Sequence, residues 1–283
     1  LLSAFFYLGG YFMKLELLDQ LREVNPIAYN ISNFVTIQDV CNAISSIGAS
    51  PAAVQANEEL GEAQDLIKVC QSLTVNLGAL IDPQVDHIDE IIGFANQYHK
   101  PVILDPVAVG ASPSRNRRAL AILARRDIAV IRGNAGEIAA LIGADWQAKG
   151  IDAGTGASDP VQLAKTAANQ YHCIVVESGR TDIITDGQTV VKVHNETDLF
   201  KLRVGSGDIL SSLIGCFCGI TDDMFEAAQA ATAIYATTGE LVAATVKATQ
   251  PSVFSATLID QLSEVTPDLI SQHMRYETLR EAK

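Results

Sequence analysis

Hydrophobic positions along this chain change their period repeatedly. Short runs of β-branched and aliphatic residues, Ala28 to Ser32, Leu73 to Asn76, Val102 to Leu104, Ile128 to Ile131 and Ile174 to Val176, are each followed by polar or glycine residues and then by a segment of helical period. That alternation predicts an α/β fold, a mostly parallel central sheet with helices on both faces. Thr181 to Thr185 and Thr189 to Val193 flank Asp186-Gly187, a hairpin signal, so an antiparallel edge hairpin is expected. Beyond Asp208 the chain reads as helices almost to its end, over Asp208 to Gly219, Met224 to Ala243 and Ser252 to Leu262. Nearer the start, Lys14 to Val24 has a helical pattern. Asn33, read as an N-cap, opens a helix that runs to Ile47 and that Gly48 closes.

No linker, low-complexity tract or internal repeat divides the chain, so residues 13–283 read as one domain after an apolar extension, residues 1–12. The extension, LLSAFFYLGGYF, has no basic stretch and falls short of the ~20 residues that span a bilayer. Gly143 to Ser158, glycine-bearing and holding the lone Trp146, is long for a connection in a compact domain and predicts a mobile flap.

With 283 residues, 48% of them hydrophobic and 19% charged, the chain can bury a large core. A net charge of −13 argues against nucleic acid or an anionic membrane as partner, so any bound anion must be held by local groups. The five cysteines are scattered with no CxxC pair, which argues against a disulfide scaffold or zinc site and points to a reducing cytoplasm. The five histidines have no metal-ligand spacing.

Candidate chemistry gathers at Gly205-Ser206-Gly207-Asp208, which runs directly into an apolar helical stretch. Glycines let successive N–H groups point at one anion, a helix start adds its positive dipole end, and the aspartate brings a proton acceptor to the same turn. Taken alone, the motif is also what a tight turn opening a helix looks like. In parallel sheets ligands sit outside the carboxyl ends of the strands, and there the sequence holds Asn76, Asp105, Arg132 and Ser178. Asp105, before Pro106, is either a loop cap or a Mg²⁺ ligand. Arg132 can fork onto phosphate oxygens. Asn134 caps a helix, and Glu137, three residues on, is either its capping-box partner or a second carboxylate facing magnesium. Asn33 is an N-cap that also reaches toward a small polar substrate.

Several of these segments, taken in order, resemble one known family. They are Asn25-Pro26 to Asn33, Ile47-Gly48-Ala49-Ser50-Pro51, Val102 to Val107 with Gly110-Ala111, Ile131 to Asn134 with Glu137-Ile138, Gly150 to Gly154, and Val204 to Asp208. The set is similar to the hydroxyethylthiazole kinases of thiamine salvage, from about Asn25 to Leu262. The resemblance implies a ribokinase-like fold and ATP- and Mg²⁺-dependent phosphorylation of the primary hydroxyl of 4-methyl-5-(2-hydroxyethyl)thiazole. It also implies a homotrimer with active sites between subunits. Asp208 is read as the catalytic base, as Asp is in the wider ribokinase-like superfamily, and Gly205, Ser206 and Gly207 as an anion hole from their own amides. Residue by residue, the resemblance implies ATP contacts at Arg132, Ser178 and Asn134, substrate contacts at Ala53, Gly205 and Asn33, and magnesium near Asp105 and Glu137.

The chain departs from the family at four of these positions. Asp208 stands where the family commonly has Cys, Ala53 where it has a Met lining the thiazole pocket, Val204 where it has Thr, and Ser178 where it usually has Thr. A carboxylate is the better-charged base at neutral pH, since an ordinary thiol has a pKa of ~8.5. A lost Met side chain relaxes the alcohol pocket by ~1–3 kcal/mol of discrimination. The rival readings are a kinase for hydroxymethylpyrimidine or pyridoxal, an ADP- or ATP-dependent NAD(P)H-hydrate dehydratase of the same fold, and a non-catalytic ligand sensor.

Overall fold

The computed structural model describes residues 13–54, 60–78, 84–144, 147–149, 152–155 and 159–280. The apolar extension and Trp146 lie outside them. From the N-terminus the chain runs through α1 (Leu17–Val24), β1 (Ile27–Ile31), α2 (Ile37–Ile47), β2 (Ser50–Val54), α3 (Leu60–Val69), β3 (Ser72–Asn76), α4 (Gln84–Gln97) and β4 (Val102–Asp105). It continues as α5 (Pro113–Leu123), β5 (Val130–Gly133), α6 (Ala135–Leu141), β6 (Gln147–Lys149), β7 (Asp152–Thr155), α7 (Pro160–Tyr171) and β8 (Ile174–Glu177). The last part holds β9 (Asp182–Thr185), β10 (Thr189–Val193), α8 (Leu199–Leu202), α9 (Ser206–Cys218), α10 (Met224–Ala243), α11 (Pro251–Glu264), α12 (Pro267–His273) and β11 (Tyr276–Arg280).

Nine strands form one sheet in the order β11-β10-β9-β8-β5-β4-β3-β1-β2. Strands β2, β1, β3, β4, β5 and β8 are parallel, and β9, β10 and β11 are antiparallel. Alternation along each strand sends neighbouring residues to opposite faces. Ile103, Val130, Val176 and Val191 join the core under α1, α2 and α9–α12, whereas Val102, Leu104, Ile131, Val175 and Val190 join the core under α3–α7. Helix α9 is largely apolar beyond its first turn, its two inner serines being hydrogen-bonded, and it is buried from Ile209 to Cys218.

Several expectations are corrected. β2 pairs in register with β1 although Ser50, Pro51, Ala52 and Ala53 carry no strand signal; an edge position tolerates the proline. The antiparallel part is wider than one hairpin, because β11, beyond the last expected helix, pairs with β10. The hairpin turn itself forms as expected, with Gly187 at φ 91° and Asp186 Oδ1 accepting from Gln188 N–H at 2.8 Å. The described residues of the expected flap pair as a two-stranded antiparallel sheet, β6 with β7. Helix α2 begins at Ile37, four residues after the expected start, and its N-cap is Thr36 rather than Asn33.

The order 2-1-3-4-5 reverses direction at β1 and β3, so a crevice opens outside the carboxyl ends of those two strands. Asn33 follows β1 and Asn76 ends β3, one on each side of it.

Candidate active site

The crevice is closed from above by the start of α9. Gly205 is its N-cap with φ 89°, a left-handed conformation that costs glycine nothing, and a Cβ there would lie 2.6 Å from Thr36 Cγ2. The amides of Ser206, Gly207 and Asp208 precede the first intrahelical acceptor bond, from Ile209 N–H to Gly205 O at 3.0 Å, and so remain available to an anion. Ser206 spends its hydroxyl on the carbonyls of Phe200 (3.0 Å) and Arg203 (3.1 Å), which ties α8 to this turn.

Asp208 occupies the first turn of α9, half-buried. Its Oδ2 accepts from Asn33 Nδ2 at 2.9 Å and from Thr36 Oγ1 at 2.5 Å. Asn33 Nδ2 also reaches Asn76 Oδ1 at 3.2 Å, bridging the crevice, and Asn76 Oδ1 takes Gly78 N–H at 2.8 Å. Asn33 Oδ1 accepts from Val35 N–H, an Asx turn that replaces the expected cap. Asn76 Nδ2 is buried with no acceptor for its N–H groups, which a polar ligand can supply.

Beyond β3, the strand ends β4, β5 and β8 place Asp105, Arg132 and Ser178 side by side. Arg132 donates from Nη1 to Asp105 Oδ2 at 3.4 Å and from Nη2 to Ser178 Oγ. Its guanidinium lies against Gly207, where a Cβ would force the arginine to shift from Asp105 and Ser178. Burial opposes the Arg132 charge, and the carboxylates of Asp105, Glu137, Asp208 and Asp182 more than offset that, raising its pKa.

Asp105 is fully buried, and Ser211 Oγ on α9 donates to its Oδ2 at 2.6 Å. Burial pushes its pKa up to about 7, with Asp208 and Glu137 adding repulsion and Arg132 and Ser211 opposing it. Glu137 closes the capping box expected from sequence: its Oε2 accepts from Asn134 N–H at 2.9 Å and Asn134 Oδ1 accepts from Glu137 N–H at 3.0 Å. Its Oε1 takes Ala108 N–H at 2.8 Å, and burial raises its pKa as well.

The donor set suits a cation that arrives with phosphate. Asp105 Oδ1 is buried without a partner, and Glu137 keeps a lone pair on each oxygen. Among the described residues no three His, Cys, Asp or Glu side chains converge into a complete metal cage. Mg²⁺ asks only for one or two carboxylates with waters and phosphate oxygens, so these residues fit it.

Six of the expected site residues are thus brought to one edge of the sheet around Gly205, Ser206, Gly207 and Asp208, or tied to them through Arg132: Asn33, Arg132, Ser178, Asp105, Glu137 and Asn134. Ala53 stands apart from this hydrogen-bonded network, half-buried on edge strand β2 opposite Asn30. Thr36 and Ser211 were not singled out from sequence. Thr36 reads as an ordinary helix-start residue, and Ser211 is one serine of an apolar helix, three residues beyond Asp208.

Known proteins resemble this chain in sequence and in fold. Residues 18–268 match the model of the hydroxyethylthiazole kinase family. The chain is 52% identical over 255 residues to a protein of Lactiplantibacillus plantarum named hydroxyethylthiazole kinase, covering 90% of this chain and 96% of that one. It is 49% identical over 265 residues to a protein of the same name from Levilactobacillus brevis, covering 94% of this chain and all of the other. A solved hydroxyethylthiazole kinase structure from Pyrococcus horikoshii superposes with a TM-score of 0.84 at 28% identity, covering 94% of this chain and 98% of that one. A ribokinase-like superfamily protein from Enterococcus faecalis, 13% identical with a TM-score of 0.63, shares the fold. Identity at half the positions over nine-tenths of the chain is far more than a shared ribokinase-like fold requires, and the chain belongs to the hydroxyethylthiazole kinase family.

Proposed function

We propose that this chain transfers the γ-phosphoryl group of ATP to the primary hydroxyl of 4-methyl-5-(2-hydroxyethyl)thiazole in thiamine biosynthesis or salvage. The observation that carries the reading is the position of Asp208, a carboxylate on the first turn of α9 beside the free amides of Ser206 and Gly207. Asp208 orients the alcohol and accepts its proton as the oxygen–phosphorus bond forms. The amides of the Gly205 to Asp208 turn stabilise the transferring phosphoryl group, helped by the helix dipole. Arg132 and Ser178 hold the nucleotide phosphates, with Asn134 fixing the β5–α6 turn beside them. Mg²⁺ held by Asp105 and Glu137 would neutralise negative charge on the phosphates during transfer.

The alcohol is assigned to the crevice between β1 and β3, near Asn33, Asn76 and Gly205, with Ala53 at its outer side. A small residue at Ala53 leaves room for a bulkier alcohol, which favours tolerance of pyrimidine or pyridine alcohols as secondary substrates. The assembly proposed is a homotrimer with its sites at subunit boundaries. Its support is a cluster of exposed apolar residues beside the site: Phe34, Val35, Leu202 and Val204 are 58%, 59%, 59% and 65% exposed, and they flank the Thr36–Gly205 contact. A cytoplasmic location accords with five unpaired cysteines and with the absence, among the described residues, of a helix long and apolar enough to cross a membrane.

The test is ADP release with ATP and Mg²⁺ over thiazole, pyrimidine and pyridine alcohols and hydrated NADH. Turnover greatest with the thiazole alcohol is expected; turnover only with hydrated NADH, or none at all, defeats the kinase assignment. Asp208→Asn is expected to keep the fold and nucleotide binding while lowering kcat by ~10²-fold or more. Full turnover in that variant removes Asp208 from the chemistry.

A further inference from the structure

Thr36 is an N-cap that does not cap. In that position a threonine ordinarily accepts from an N–H two or three residues on, satisfying one of the free amides of the helix start. No such bond is made at α2, and the hydroxyl donates instead to Asp208 Oδ2. Thr36 is 3% exposed, so water competes little for that bond. A fixed second donor reaches the same oxygen, because Asn33 is pinned at both ends of its amide, by Val35 N–H and by Asn76 Oδ1. Both donors come from the short connection between β1 and α2. Asp208 Oδ1 receives neither of them.

We propose that Thr36 is a positioning residue for the phosphoryl transfer: with Asn33 it holds Asp208 by Oδ2, so that Oδ1 is turned to the substrate hydroxyl. This rests on the assignment of Asp208 as the base. In the step, the alcohol proton passes to Oδ1 as the alcohol oxygen bonds to the γ-phosphorus, and the bond from phosphorus to the ADP oxygen breaks. Oδ2 keeps its two donors throughout, so the carboxylate does not swing during the transfer. Charge-assisted bonds of this kind are short and strongly directional, which suits them to orienting a base. The arrangement also assigns Asn33 a role sequence reading did not give it, as a holder of the base as well as a crevice residue.

The test uses the full chain with saturating ATP and Mg²⁺ and the thiazole alcohol. Thr36→Val removes the hydroxyl and keeps the methyl group that packs on Gly205. It is expected to lower kcat by ~10-fold with the KM of the alcohol changed less than ~3-fold, and Thr36→Ser is expected to restore most of the rate. In an Asp208→Asn background the same Thr36→Val change is expected to cost no more than ~2-fold, since the group it positions is gone. Wild-type kcat in Thr36→Val, no rescue by Ser, or an equal loss in both backgrounds overturns the proposal. Should Val unfold the chain, Thr36→Ala against Thr36→Ser decides the same point. If Asp208→Asn itself turns over at the full rate, it is the base assignment that fails, and the two failures are told apart.

Discussion

Glu177 ends β8 with its Oε2 buried and unpartnered, and burial pushes its pKa up to about 8, with Asp182 and Asp159 adding repulsion. Asp182, at the start of β9, is pushed up to about 7 by burial, against the Gly179 N–H and Arg132, which favour its charge. Both groups therefore keep a proton in the native protein at pH values where the unfolded chain, with ordinary carboxylates near ~4, has lost it. Native protein then binds more protons than unfolded protein between about pH 4 and pH 8, and stability falls as pH rises across that window. Glu177→Gln cannot ionise. Calorimetry is expected to show Tm values for wild type and variant that nearly coincide at pH 5 and separate by pH 8.5, where the variant's unfolding free energy is higher by about 1–3 kcal/mol. Parallel Tm curves across this range would mean that Glu177 ionises as freely in the native state as in the unfolded one.

Elements here are tied by a few long-range polar contacts as well as by burial. Arg22 of α1 donates from Nη1 to Val265 O at 2.8 Å, from Nη2 to Leu262 O at 3.1 Å, and from Nε to Ile47 O at 3.3 Å. One guanidinium thus satisfies carbonyls at the C-terminal ends of both α2 and α11, where a cation also meets the negative ends of the helix dipoles. Arg22→Met keeps the aliphatic stem and leaves those carbonyls unpaired. A loss of ~1–3 kcal/mol in urea unfolding is expected, with no change in kcat, since the contact is remote from Asp208. An unchanged unfolding midpoint would show that water replaces the guanidinium without cost. Helix α9 is held the other way: its mostly apolar run is visible from Ile209 onward, and burial on all sides suits it once Ser211 and Ser212 have their hydrogen bonds.

At the scale of the whole molecule, Phe34, Val35, Leu202 and Val204 remain the exposed apolar rim of a site that is otherwise lined with polar groups. Light scattering is expected to give a mass near 90 kDa, three times the 30.2 kDa of one chain, and Phe34→Asp is expected to lower both the mass and the turnover. A wild-type mass near that of a single chain sinks the trimer. Much of the architecture was legible in the linear order of residues. The strands β3, β4, β5 and β8 and the turn from Gly205 to Asp208 could be read directly, because period, turn chemistry and glycine placement are local properties. Polar residues at four strand ends could be named for the same reason. What tertiary structure decided was pairing and partnership. β2 is a strand because β1 offers it a ladder, although its own serine, proline and alanines ask for none. Thr36 carries every local mark of a helix cap, yet its hydroxyl turns to a carboxylate 172 positions away in the chain. A hydroxyl chooses among the acceptors within reach, and which acceptors are within reach is settled only when the α9 turn packs over the crevice.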